Sequence, residues 1–363
     1  MGKHENMTMK KTFTLTFAAL LAFGATLTAS AQENPKVIRV AVSGAGTGGK
    51  PASSGSILTT AHQRGDLEKE FAKDGIKVEW TFFVGAGPAT NEALALKKVD
   101  FASQGDLPLI VARSNGLRTR IIMKRQQFDK TYVVVPTSSP ARTIEDLKGK
   151  KWTVQKGTAT QLVLNRVLKK FGIKEEEIKL IDMNSDSQTA ALSTGDVDAA
   201  LSSSKDLVAR GLVRRIYLVD DPKVNPPGNL WVSEEFEAKY PQIVQRFVSA
   251  LVRTAAWSAD EKNRDEIFRL WAKSGTPYAD FKEDYKDTAL RDRQNPLLDE
   301  YYTTFIKNSI AEAKEFRFIR RDVPFEGWIE PKYLNTALKE EKLEGFWDEF
   351  DGNAVRKKKS GAK

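Results

Sequence analysis

Gly44, Gly49 and Lys50, within VSGAGTGGKP at residues 42–51, stand at the spacing of a nucleotide-phosphate loop. They fill the first seven places of G-x-x-x-x-G-K-[ST], where backbone amides surround phosphates and the last hydroxyl binds magnesium. Pro51 takes the eighth place and supplies neither the hydroxyl nor a backbone N–H. A clean apolar strand ending in aspartate is also missing, since Ile178–Asp182 contains Lys179. The stretch is therefore read as a mobile loop at the mouth of a cleft, with Lys50 placed to face an anionic ligand.

Catalytic constellations are scarce. His62 is the one histidine beyond residue 31, so a Ser-His-Asp triad has a single candidate base and no nucleophile elbow. It is read as an exposed or capped helix residue. Asp182, Asn184 and Asp186 imitate the start of a calcium loop, but Ser187 replaces its glycine and Ser193 its final glutamate, so no metal site is assigned. Asp100 and Asp198 occupy matching places beside strand starts and are read as turn or helix caps. The chain has no cysteine, which excludes a lipid-anchored cysteine, disulfides, thiolate metal sites and thiol nucleophiles.

What recurs is the polar turn between a strand and a helix. Five such turns are Ser43–Lys50, Gly85–Pro88, Gln104–Asp106, Gly157–Thr160 and Ser202–Lys205. In an open parallel sheet, ligands bind beyond the carboxyl ends of the strands, where helix N-termini present N–H groups and a positive dipole end. Glycine permits close approach, and short hydroxyls add donors without bulk. Ser43, Gly44, Gln104 and Ser203 are candidates on this ground, and the chemistry is capture of a small anion.

The elements that must position these turns come as a repeat. Residues 76–113 and 178–210 both run strand, polar turn, short helix, Val-Asp strand, polar turn, helix. The strands are expected at Val78–Val84 and Val99–Ser103, and again at Leu180–Met183 and Val197–Leu201. Each copy follows a further strand and helix: Val37–Val42 with a helix near Ser54–Lys73, and Lys151–Gln155 with one near Ala159–Phe171. Gly75 and Gly172 stop those helices. Two copies predict two α/β lobes, each a mainly parallel sheet flanked by helices. Thr131–Pro136 would cross between them and Asn229–Val232 would cross back. Beyond about residue 235, helical spacing of Ile243, Val244, Phe247, Val248 and Leu251, and later of Leu298, Tyr302, Phe305 and Ile306, predicts helices packed mainly on the first lobe.

Lys10 and Lys11, an apolar run from Phe13 to Leu27, and Ala29-Ser30-Ala31 have the order of an export signal cleaved before Gln32. The expected organisation is a signal at 1–31, a first lobe at 32–135, a second at 136–230, a return with C-terminal helices at 231–352, and a disordered basic tail at 353–363. The formal charge of +9 is spread among acidic residues except in that tail, so no nucleic-acid partner is expected.

Val84-Gly85-Ala86-Gly87-Pro88, Val99–Ala102, Gly105-Asp106, Ile144–Lys151, Lys156-Gly157-Thr158 and Gly195–Ala199, in this order, resemble the periplasmic solute-binding proteins of ABC importers for sulfonates, taurine and nitrate. The likeness covers about residues 36–260. It implies a type II two-lobed clamshell that closes on a solute and delivers it, as a monomer without catalytic activity or cofactor, to an inner-membrane permease and its ATPase. Carried over turn by turn, it places Gly87, Pro88, Gly105, Asp106, Thr158, Ala159 and Thr160 at the ligand. The loop Ser43–Ser53 is longer than the family's, and the turn at Ser202–Lys205 lacks an aromatic found nearby in many relatives. Carboxylates, nitrate and thiamine-precursor ligands therefore stay open beside sulfonates, as do an enzyme of the same fold and a periplasmic sensor.

Overall fold

Two five-stranded sheets with the same strand order organise the chain. The computed structural model describes residues 33–51, 55–202, 207–208 and 210–358. The expected export signal, Ser203 and residues 359–363 lie outside the described residues. The first sheet uses β1 (Val37–Val42), β2 (Lys77–Phe82), β3 (Phe101–Gln104) and β4 (Thr119–Gln126). The second uses β5 (Thr131–Pro136), β6 (Lys151–Val154), β7 (Lys179–Asp182), β8 (Ala199–Ser202) and β9 (Val213–Val219), after which β10 (Gly228–Ser233) returns to the first. The orders are β2-β1-β3-β10-β4 and β7-β6-β8-β5-β9.

In each sheet the first three strands run parallel, and the strand that arrives by a crossing, β10 or β5, pairs antiparallel with both neighbours. Each sheet therefore owes its fourth place to a strand delivered from the other, which ties the lobes by two chain crossings.

The sequence repeat reappears as a repeated backbone clamp. Asp100 Oδ2 accepts the Arg39 N–H at 2.8 Å, and Asp198 Oδ2 accepts the Lys151 N–H at 2.8 Å. Each carboxylate thus binds a backbone N–H of the neighbouring strand, within β1 at Arg39 and at the start of β6 at Lys151, and Asp100 also pairs with the Arg39 guanidinium at 2.5 Å.

The long helix Pro241–Ala259 begins with proline at its first turn, where a missing N–H costs nothing. Its apolar face buries Ile243, Val244, Phe247, Val248 and Leu251, and Phe247 stacks on Phe101 with ring centroids 3.8 Å apart. Each such side chain contributes about 1.5–3 kcal/mol by leaving water. Helices Glu300–Glu315 and Lys332–Glu340 complete the cover of the first sheet.

Two expectations need correcting. The single helix near Ser54–Lys73 is instead Ile57–Arg64, capped by Ser56, then Gly65 at φ +66° and a second segment Asp66–Phe71. The left-handed glycine ends the first helix and turns the chain. The tail is not disordered through residue 358: Arg356 pairs with Asp292 at 2.7 Å and with Asp348, and Lys357 pairs with Glu300 at 3.1 Å. Acidic partners from the C-terminal region meet the basic run there.

Candidate functional site

The turns after β1, β2, β3 and β6 come to one seam between the lobes. Gly157, with φ +72°, approaches Pro88 so closely that a Cβ on the glycine would stand 3.1 Å from Pro88 Cγ. Further along the seam, a Cβ on Gly105 would stand 2.5 Å from Ala159 Cβ. Gln155 Nε2 donates to the Val84 carbonyl at 3.1 Å. Leu162, one turn inside the helix Ala159–Lys170, is buried in the apolar cluster of the first sheet with Leu107 and Trp231. The closeness of the lobes is therefore set by small residues at the turns and by one apolar side chain crossing the seam.

Beside Gly105 and Ala159 lies a cavity of about 120 Å³ that Thr160 also lines. Its remaining wall is Val163 of the same helix together with the two crossings: Arg125, Asp129 and Thr131 on one, and Asn225 through Gly228 on the other. The Ala159–Lys170 helix brings its N-terminus to this space with no acidic residue in its first turn and no side-chain cap on its amides. A positive dipole end and a guanidinium thus share one small enclosure, an arrangement that favours a small anion. Burial lowers the Arg125 pKa from its ordinary value, with the Asp129 carboxylate opposing.

Other expected site residues face protein. Asp106 is sealed from solvent, and its Oδ2 accepts from Arg166 Nη2 at 2.9 Å and from the Ser309 hydroxyl at 3.1 Å. Burial opposes the Arg166 charge, but Asp106 and Glu312 outweigh it and hold the guanidinium above its ordinary value. Gln104 donates to Gly87 O at 3.1 Å and Asn91 Oδ1 at 2.7 Å, and accepts from Trp231 Nε1 at 3.0 Å. Gly87 is buried because Pro108 occupies the space a Cβ would need. The Thr158 hydroxyl donates to Gln155 O at 2.6 Å, which closes the turn. Ser43 Oγ lies 2.6 Å from Thr90 Oγ1, and the Gly44 amide donates to Val42 O at 2.9 Å. These residues shape the turns from behind, while Gly105, Ala159 and Thr160 reach the cavity.

The glycine loop does not cradle an anion. Gly46 N donates to Lys50 O, Gly49 N to Gly46 O, and Gly48 N to Asp186 Oδ2 at 3.1 Å in the second lobe. Its amides close a turn and tether it across the seam. The acids of the calcium-like stretch are likewise engaged, Asp182 by the Lys156 N–H and Asp186 by Gly48. His62 is half-buried, edge-on to Trp80 and Phe82 at 4.7 and 5.1 Å, and the Gly65 N–H caps its carbonyl at 3.1 Å, so it is a capped helix residue and not an exposed one. Burial lowers its pKa, with Glu68 opposing.

Reasoning on strand-to-helix turns placed no site residue at the crossings. A readable signal existed: Arg125 sits in the β-branched run Thr119–Gln126 just before the first crossing, and Pro226-Pro227-Gly228 just before the return strand. A charge at the end of an apolar strand there is positioned at the base of the cleft.

Comparison with known proteins agrees with the fold. The chain is 24% identical over 311 residues to a Bacillus subtilis protein named for binding aliphatic sulfonates, covering 80% of this chain and 87% of that one. An Escherichia coli protein named for the same ligands is 32% identical over 192 residues, 53% of this chain and 56% of its own. A crystal structure from Methylobacillus flagellatus described as a periplasmic sulfonate-binding protein, SsuA, is 30% identical with a TM-score of 0.73, covering 88% of this chain and 98% of that one. Each of these relatives is named for binding, and the crystal structure among them shares the fold of this chain. Among the described residues no helix is long and apolar enough to cross a membrane. The family model described as NMT1/THI5 like matches residues 68–264, more than half of the sequence, and the chain belongs to that family.

Proposed function

We propose that the protein is the periplasmic solute-binding component of an ABC importer, which captures a small anion between its lobes and delivers it to a membrane permease and its ATPase. The observation that carries this reading is the enclosure between Gly105 and Ala159, where a helix N-terminus and Arg125 meet in about 120 Å³. A space of that size fits a sulfonate, carboxylate or nitrate group with a short tail better than an aromatic thiamine precursor, since drug-sized ligands occupy roughly 300 Å³ or more. Relatives named for sulfonate binding make alkanesulfonates the first class to try.

The role is binding without turnover. Asp100, Asp106 and Asp198 are each engaged with a cation or a backbone amide, and His62 lies against aromatic rings outside the cavity. A thermal-shift screen of methanesulfonate, ethanesulfonate, taurine, nitrate and acetate tests the proposal. A ligand at a hundred times its Kd stabilises the folded state by about 2.7 kcal/mol, several degrees for a domain of this kind. No shift with any small anion at millimolar concentration would remove the basis for it.

A further inference from the structure

We propose that a second ligand site lies at the far end of the first sheet from the interlobe cavity, and that it takes an amphipathic monoanion: a medium-length alkyl chain with a carboxylate or sulfonate head. This site stands on its own observations and does not depend on what the interlobe cavity binds.

The turns of the seam follow the carboxyl ends of β1, β2 and β3. At the amino ends of β1 and β3, where β4 also starts and antiparallel β10 finishes, there is a groove of about 600 Å³. Ligands of drug size need roughly 300 Å³ or more, which this groove offers and the interlobe cavity of about 120 Å³ does not. Its floor is apolar. Leu94, Val99 and Phe236 are buried beneath it, and Val37, Leu117 and Tyr240 are half-buried along it. Phe236 lies edge-on to Phe101 with ring centroids 5.2 Å apart, so the floor is continuous with the core of the first lobe. A hydrocarbon tail laid on such a floor leaves water on one side and covers apolar surface on the other.

The rim selects the sign of the head group. All three carboxylates that line the groove are claimed: Asp100 by Arg39 at 2.5 Å, Glu235 by Lys97 at 2.8 Å and Glu79 by Lys77 at 2.7 Å. Two further cations on the rim, Lys36 and Arg118, meet no carboxylate among the described residues. Helices Ala86–Ala95 and Asp106–Ser114 both end here, but backbone amides take their last carbonyls: Leu96 and Lys98 bond Glu92 and Ala93, and Gly116 and Leu117 bond Arg113 and Ala112. Lys36 and Arg118 are therefore not spent on capping. Positive charge at the edge of an apolar floor suits a ligand with an anionic head and a hydrocarbon tail. Taurine and nitrate have no tail to place on that floor.

Calorimetric titration of hexanoate and octanoate, with and without excess ethanesulfonate, into wild type, Lys36→Gln/Arg118→Gln and Ala95→Glu tests the assignment, with unfolding midpoints measured for each. Octanoate should bind wild type about tenfold more tightly than hexanoate, because two more methylenes reach the floor, and ethanesulfonate should leave that affinity unchanged. Losing both rim charges should weaken octanoate about five- to tenfold, the scale of two exposed ion pairs. Ala95 lines the groove at the exposed end of its helix, so Ala95→Glu adds bulk and a negative charge there and should weaken octanoate by at least as much. If one variant fails to fold, the other and the chain-length comparison in wild type carry the decision. No octanoate binding at millimolar concentration, wild-type affinity in the folded variants, equal affinity for the two chain lengths, or displacement by ethanesulfonate overturns the second site. Adsorption to phosphatidylglycerol vesicles without binding of free octanoate also overturns it, since the rim would then be a membrane-facing patch. A thermal-shift screen that finds no small anion, with octanoate still bound at the groove, would remove the interlobe reading and leave the second site standing.

Discussion

Arg166, on the second lobe's helix Ala159–Lys170, meets Asp106, at the first turn of the first lobe's helix Asp106–Ser114, at 2.9 Å with side-chain exposures of 4% and 0%. The pair spans the seam, and Glu312 holds the outer edge of the same guanidinium at 2.7 Å. Arg166→Met would leave the Asp106 carboxylate buried with only its neutral donors. Removing one partner of a buried pair costs about 3–5 kcal/mol, so the variant should unfold at clearly lower denaturant. A loss below about 0.5 kcal/mol would mean that the pair is wet in solution.

Gly105 and Ala159 set how near the lobes can come. A methyl at Gly105 has no room against Ala159 while the lobes are together, and the three atoms nearest to it all belong to Ala159. Gly105→Ala should therefore fold normally, show a larger radius of gyration by small-angle scattering with ligand present, and bind about tenfold more weakly. Ala159→Gly in the same chain should restore both. Persistent weakness in the double variant would place the damage inside the first lobe.

Thr158 and Gly87 separate turn architecture from ligand contact. Thr158→Ala removes the 2.6 Å bond to Gln155 O, a net loss near 1 kcal/mol, and should weaken affinity about fivefold through the turn. Gly87→Val would drive a side chain into Pro108 and should show itself as a stability loss of about 1–3 kcal/mol. A stable Gly87→Val protein with abolished binding would move Gly87 from scaffold to contact surface.

Much of this was legible in sequence. The repeat at 76–113 and 178–210 announced two related lobes, because strand, turn and helix must recur in that order to build the same half-sheet twice. The resemblance implies Gly105, Ala159 and Thr160 at the ligand, and these three line the cavity at the seam. What sequence could not show is that Asp106 is claimed by Arg166, sixty residues away, or that Leu162 crosses the seam into the apolar cluster of the first sheet. Those depend on long-range packing, which leaves no local periodicity. Arg125 escaped because it lies near the end of the strand Thr119–Gln126, which leads into a crossing and not into a strand-to-helix turn.

Lys124 offers a pH test. Burial lowers its pKa to about 8, with Asp299 opposing, against an unfolded value near 10.4. Below pH 8 both states hold the proton. Between about 8 and 10 the unfolded chain binds more protons than the folded one, so this group makes stability rise with pH. The stability of wild type relative to Lys124→Met, followed by urea unfolding from pH 7.5 to 10, should grow across that window. A difference that stays level would mean that Lys124 keeps its proton in the folded state.

The most direct measurement of the central claim is a crystal structure grown with whichever small anion the thermal-shift screen selects. The anion should lie between the lobes, with its charged head beside Gly105, Thr160 and Arg125 and the seam closed around it. An anion seated elsewhere on the surface, or a saturated protein whose interlobe cavity holds only water, would contradict capture between the lobes.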